Sequence, residues 1–384
     1  MLSQYTLQMP KCVYGGENAL ENLRQIVRPY KKVAIFADQG IVAAGLTDSV
    51  IAELEIAEKA YTIFADIEAE PSYLQVQKLV DEFKHSSCDF IVAIGGGSVM
   101  DTAKLASLLV TDDYGVKELL DKPLLATKCV ETLLIPTTAG TGSEATSNAI
   151  VGVPEQEVKI GIVNAEMIAD YVILDPVMIK NLPRPIAAST GIDALCHAIE
   201  CYTSKKANNF SDMFALRALD LILNNIEEAC SDKEAIKAKI LMQTASFFAG
   251  VAITASGTTA VHALSYPMGG KYHIPHGIAN AVLLIPVMKF NEPFIREKLA
   301  ECYDACVHGE KTCNSLEEKS AYMIQWMESI VRRLDIPTSY REWEVTREDL
   351  DGLVEAGMQQ QRLLVNNMRE ITSEDARAIY GQVI

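Results

Sequence analysis

The order of apolar and polar positions divides the chain into two regimes. In the first half, short apolar runs rich in β-branched residues recur: KKVAIFAD (31–38), AYTIFAD (60–66), CDFIVAIGGGS (88–98), ETLLIPTTAGTGSE (131–144) and YVILDP (171–176). Runs of this length, closed by Gly, Pro or Asp, predict buried strands. Helical spacing between several of them, as over 72–85 and 99–110, predicts the crossovers of a parallel sheet covered on both faces. From about residue 181 the period changes. RPIAASTGIDALCHAIECYTS, NNFSDMFALRALDLILNNIEEA and EAIKAKILMQTASFFAGVAI carry apolar residues at i, i+3 and i+4 over helical lengths. Strand-like runs are nearly absent there, and the prolines of DPVMIKNLPRP punctuate the change. The expectation is an α/β domain over 1–180 followed by an all-α domain over 181–384.

Composition narrows the partners. The 384 residues are 49% hydrophobic and 22% charged, ordinary for a globular enzyme. A net charge of −17 argues against nucleic acid or an anionic membrane surface, both of which would repel it, but not against a small anionic substrate. Nine cysteines, an odd number without CxxC spacing, predict reduced thiols and a cytoplasmic location. The N-terminal stretch lacks a basic segment followed by an apolar run, and no apolar segment is expected to reach bilayer-spanning length.

Two turns carry candidate chemistry in the first half. IVAIGGGSVMDTAK reads as strand, glycine turn and helix. Gly95, Gly96 and Gly97 would allow close backbone approach and positive φ, and the helix N-terminus beyond suits a pyrophosphate. Plain packing of the turn is the competing reading, and Asp101 could simply complement the helix dipole. PTTAGTGSE adds Thr137, Thr138 and Thr141 as hydrogen-bond donors or, alternatively, as caps. Ligands of parallel α/β sheets bind beyond the carboxyl ends of strands, so two such turns together favour a dinucleotide. Asp38, closing its strand, is placed to accept from a ribose 2′-hydroxyl, which favours NAD over NADP.

The second half carries a metal-ligand pattern. Asp193 and His197 stand at i, i+4 in TGIDALCHAIE, a spacing that stacks them on one helix face. Three of the six histidines, His262, His273 and His276, fall within fifteen residues. With His262 and His276 the pair makes one oxygen and three nitrogen ligands, a set suited to Fe²⁺, Zn²⁺, Co²⁺ or Mn²⁺. His273 is left as an outer partner or a catalytic group.

GGGSVMDTAK, PTTAGTGSE, GIDALCHAIE and HALSYPMGGKYHIPHGIANA, in this order, resemble the iron-containing (group III) alcohol dehydrogenase family over essentially the full length. The resemblance implies a Rossmann-like dinucleotide-binding α/β domain and a helical domain, the fold shared with dehydroquinate synthase-like proteins, with the site in the cleft between them. It implies NAD(H) and Fe²⁺, or Zn²⁺ or another divalent ion, as cofactors, and a homodimer or larger homo-oligomer. By matching positions, Asp193, His197, His262 and His276 would bind the metal. Asp38, Gly96, Gly97, Ser98, Asp101, Thr137, Thr138, Thr141, Asn148 and Lys159 would contact the nucleotide. Many members have a histidine where this chain has Tyr266, so His273 is preferred as proton relay, with Tyr266 as a second catalytic candidate. AVHALSYPMGGKYHIPHG and QQQRLLVNNMREIT look most like members acting on 4-hydroxybutyrate. The implied activity is hydride transfer between nicotinamide and a short primary alcohol or aldehyde with an anionic tail. The alternatives are sulfonate- or phosphonate-bearing aldehydes and simple uncharged ones. Lys271, Arg362 and Asn366 are the candidates to meet the tail.

Overall fold

The computed structural model describes residues 4–156 and 158–384. The chain divides into two compact units, one of Gln8–Thr138 and Gly142–Leu182, the other gathering residues 4–7 and Ala139–Thr141 with Pro183–Ile384.

The first unit contains β1 (Cys12–Gly15), β2 (Lys32–Phe36), β3 (Ala60–Phe64), β4 (Phe90–Gly95), β5 (Glu131–Pro136), β6 (Asn148–Val153), β7 (Val158–Val163) and β8 (Tyr171–Leu174). Six of these form a parallel sheet in the order β1-β8-β5-β4-β2-β3, and β6 and β7 pair antiparallel as a separate ribbon. The inner strands β2, β4 and β5 are buried almost throughout, as their unbroken apolar runs require when helices cover both faces. Each fully buried Val, Ile, Leu or Phe there contributes roughly 1.5–3 kcal/mol.

The five expected strands are all present. The sequence reading missed β1 and the β6–β7 ribbon. β1 is only four residues long and sits at a sheet edge, and the ribbon lies outside the parallel sheet.

In the second unit the described residues form helices and turns only. The long helices are Arg184–Tyr202, Asn209–Ser231, Ile236–Ser256, Ala260–Tyr272, His276–Cys306 and Leu316–Arg333. Their apolar faces merge into one core that includes Leu195, Ile222, Leu264 and Met288. Late residues pin the helices that matter below. The buried phenol of Tyr340 donates to the Ala279 carbonyl at 2.7 Å, and that of Tyr380 to the Leu264 carbonyl at 2.7 Å.

Two expectations need correction. A division at residue 181 places residues 4–7 and Ala139–Thr141 in the first unit, whereas they cluster with the helical one. The Gly140 carbonyl accepts from Nδ1 of His197 there, which ties the short segment to the helix. The expected lack of long apolar segments also fails: Ile236–Ser256 and His276–Cys306 are both long and apolar enough to cross a membrane. Most of their apolar windows are buried inside the unit, which is the ordinary reason for such composition in a core helix.

Candidate functional site

Asp193 and His197 lie one turn apart on the buried part of Arg184–Tyr202. His262 lies in the first turn of Ala260–Tyr272, and His276 is the first residue of His276–Cys306. The link between those two helices is three residues long. It opens with His273, which ends its helix in the left-handed conformation (φ 53°), and closes with Pro275, which precedes His276. Gly277 allows the new helix to start against Arg184–Tyr202: a Cβ at this position would stand 2.2 Å from the Ser189 carbonyl oxygen. That close approach brings His276 beside Asp193.

The four side chains offer ligand atoms that all lie within 4.8 Å of one another. Ligands about 2.0–2.2 Å from one ion are at most about 4.4 Å apart, so the set closes on a single cation with small side-chain adjustments. Both Nε2 atoms of His262 and His276 are 3.6 Å from Asp193 Oδ1. The rings of His197 and His262 stack at 4.5 Å between centroids. Asp193, His197 and His262 are buried and His276 is partly exposed. Three imidazoles and one carboxylate suit a borderline divalent ion, so the donor chemistry fits the implied metal.

Electrostatics favour the ligand state. Burial pushes His197 down, against the pull of Asp193. Burial would raise Asp193, but the surrounding imidazoles more than offset it and hold its carboxyl far below the usual range. Burial also opposes charge on His262, yet Glu200 and Asp193 win and raise its affinity for a proton. A cation at Nε2 answers the same two carboxylates.

Two outer partners escaped the sequence reading. Glu200, wholly buried, accepts from Nδ1 of His262. It also accepts from Thr259 N at 3.1 Å, Thr259 Oγ1 at 2.7 Å and Val261 N at 2.8 Å. One carboxylate thus caps the helix Ala260–Tyr272 and fixes the ring of its ligand, leaving Nε2 for the ion. Asn280 is the other. Glu200, in GIDALCHAIE at i+7 from Asp193, is readable from the sequence in principle, whereas nothing there singles out Asn280, a lone amide in an apolar helix.

The remaining candidates are less uniform. Tyr266, one turn past His262, stands with its ring 6.0 Å from that of His276. His273 is exposed. Lys271 is exposed and paired with Asp349 at 3.0 Å, and Arg362 is exposed on the short helix Gln361–Leu364. Asn366 is buried, and its amide nitrogen donates to the carbonyls of Thr258 (3.0 Å) and Arg362 (3.4 Å). What it has left is the acceptor Oδ1, the wrong polarity for an anion.

In the first unit, the register of β4 with β5 sets Gly95 opposite Pro136, so the glycine and threonine turns leave the sheet side by side. Thr137 N donates to the Gly95 carbonyl at 3.0 Å. Gly96 is the N-cap of Gly97–Leu109, with a Cβ position 3.9 Å from Thr138. Positive φ is not the reason for these glycines: Gly96 has φ −84°, and none of the three is among the glycines with positive φ. Gly95 instead yields room to Val99, whose side chain a Cβ would meet at 2.6 Å. Asp38 caps the turn after β2, accepting from Ile41 N at 2.8 Å through Oδ1. Ser98 Oγ accepts from Glu70 N at 2.9 Å, and Lys159 pairs with Glu70 at 2.6 Å.

Asp101 is buried, and both its oxygens are engaged. Oδ1 takes Ser143 Oγ and the ammonium of Lys104, and Oδ2 takes Ile150 N at 2.9 Å. Lys104, fully buried, donates in turn to Ser143 Oγ, Thr146 Oγ1 and the Asn148 carbonyl. Asp101 therefore shapes the loop after the threonine turn. Thr141 is half-buried.

Comparison with known proteins follows this geometry. The profile of the Fe-containing alcohol dehydrogenase family, C-terminal, matches residues 187–384, and that of iron-containing alcohol dehydrogenase matches 10–176. The chain is 32% identical to long-chain-alcohol dehydrogenase 1 of Geobacillus thermodenitrificans, across 99% of this chain and 96% of that one. It is 34% identical to 4-hydroxybutyrate dehydrogenase of Clostridium kluyveri, across 82% and 84%. The structure of a 1,3-propanediol oxidoreductase superposes with a TM-score of 0.94 at 28% identity, covering 100% of both chains.

Proposed function

Since the chain belongs to the iron-containing alcohol dehydrogenase family, we propose that it is an NAD(H)-linked, divalent-metal-dependent enzyme that interconverts a short primary alcohol and its aldehyde. The observation that carries this reading is the convergence of Asp193, His197, His262 and His276 within 4.8 Å. When bound there, a cation supplies Lewis acidity toward the substrate oxygen, and NAD(H) supplies the two-electron partner.

The chain's own residues do the rest. Asp193 brings one negative charge to balance the ion. Glu200 keeps the His262 proton on Nδ1, so that Nε2 faces the ligand set. His276 is the partly exposed member of the set, the side from which an incoming oxygen would approach, and the Tyr266 ring stands 6.0 Å from its ring. His273, at the solvent, passes the proton of the alcohol outward. In the other unit, the glycine turn at the N-terminus of Gly97–Leu109 receives the pyrophosphate. Asp38 keeps Oδ2 for a ribose hydroxyl, which favours NAD.

The substrate is the finer point. The relatives' names span a long-chain alcohol, 4-hydroxybutyrate and 1,3-propanediol, and the motifs around His262 favour an aldehyde with an anionic tail such as succinic semialdehyde. Lys271 and Arg362 are the cations offered to it. The working form is a homodimer or larger. An absorbance assay of NADH oxidation by metal-loaded protein tests the reading with succinic semialdehyde, sulfoacetaldehyde and butanal. Oxidation with at least one aldehyde is expected, with succinic semialdehyde the most efficient. No oxidation with any would contradict the activity, and equal efficiency on butanal would contradict the charged tail.

A further inference from the structure

Asn280 lies one turn beyond His276 on the same helix and is fully buried. Its Nδ2 is 2.7 Å from Asp193 Oδ1, 3.1 Å from His262 Nε2 and 3.2 Å from His276 Nε2. The carboxylate oxygen has no hydrogen to give, so the amide must turn its N–H groups toward it. Reversed, the carboxamide would set a carbonyl oxygen against a carboxylate at hydrogen-bond distance. The cost of the chosen orientation is visible, because Asn280 Oδ1 is buried without a hydrogen-bond partner.

We propose that Asn280 is a positioning residue for the cation: its N–H groups hold Asp193 and keep the Nε2 atoms of His262 and His276 turned to one point. Once Nε2 of His262 has given up its proton to serve as a ligand, it and Nε2 of His276 stand 3.6 Å from Asp193 Oδ1 with lone pairs inward, and these atoms repel one another unless something positive lies among them. The amide hydrogens supply that before a metal arrives, and the short bond to Asp193 continues to aim the carboxylate afterwards. The binding energy of the ion is then not spent on reassembling its own site. The inference rests on reading the four residues as a metal site.

Titration of the metal-free protein with Co²⁺, followed by its visible ligand-field absorption, tests it. The parent protein, His262→Ala, Asn280→Leu and Asn280→Ala are compared. Leu keeps the branched shape of Asn, with two methyls in place of the amide oxygen and nitrogen, but is bulkier and has no donor; Ala leaves a void and decides the matter if Leu does not fold. The expectation is that the parent binds one Co²⁺ per chain and His262→Ala does not. Both Asn280 variants bind about 10–100-fold more weakly, with a shifted absorption band. Parental affinity and spectrum in the folded Asn280 variants, or tighter binding, would overturn the inference while leaving the metal site standing. Failure of the parent itself to bind Co²⁺ would instead overturn the site and the inference with it.

Discussion

Glu200 Oε2 accepts from Nδ1 of His262, while Oε1 of the same carboxylate gathers the first donors of His262's own helix. The ring of the ligand and the start of its helix are thus set by one buried charge. Glu200→Ala removes it and leaves those donors unanswered. Destabilisation of about 3–5 kcal/mol is expected, with metal affinity reduced about 10–100-fold. Thermal denaturation and equilibrium metal titration measure the two. Parental metal affinity in a folded variant would show that the pair does not orient the ligand.

Gly277 makes a second, purely steric prediction. A Cβ here would overlap the Ser189 carbonyl oxygen, a backbone atom that cannot swing aside. Gly277→Ala should cost about 1–3 kcal/mol by overpacking. It should also draw His276 away from Asp193, so metal retention during dialysis against a chelator falls together with the thermal midpoint. Unchanged retention would separate the close helix approach from the ligand geometry.

Asp38 tests the nucleotide reading. Asp38→Asn keeps an acceptor for Ile41 N, so the cap survives, but removes the charge that opposes a 2′-phosphate. The preference for NADH over NADPH should fall roughly tenfold, about 1.4 kcal/mol. A ratio of kcat/KM values unmoved by the change would place the ribose elsewhere.

Glu144 predicts how stability depends on pH. It is buried, and burial pushes its carboxyl from 4.5 up to about 7 against the pull of nearby Lys104. Between those two values the folded protein keeps a proton that the unfolded chain gives up. This group therefore lowers stability as pH rises from 4.5 to about 7, by up to about 3 kcal/mol, and contributes no further slope above that. Glu144→Gln, neutral throughout, should flatten that slope and be more stable than the parent at pH 8. Denaturant unfolding at pH 5 and pH 8 reads the difference. Identical slopes in both proteins would contradict the assignment.

What the sequence disclosed of this site follows from how local each signal is. Asp193 and His197 stand out because helical spacing stacks them, and His262 and His276 because histidine is scarce elsewhere in the chain. Glu200 meets His262 across 62 residues, and Asn280 meets Asp193 across 87, pairings that only tertiary packing creates. The long buried strands were equally plain, since continuous β-branched runs fit a covered parallel sheet and little else. The short edge strand β1 and the ribbon of β6 and β7 lacked such a run. Gly95, Gly96 and Gly97 do not take the positive φ that glycine invites, and Asp101, a nucleotide-contact candidate by its place in the motif, also holds the buried Lys104. Residue type alone does not distinguish a structural carboxylate from a binding one.

The most direct test of the central claim is the metal content of protein purified without oxygen, stripped and reloaded with Fe²⁺, with His262→Ala carried in parallel. One equivalent per chain in the parent is expected, with little or none in the variant and turnover lost alongside it. A folded His262→Ala protein that holds iron as the parent does, or oxidises NADH as fast, would contradict the account.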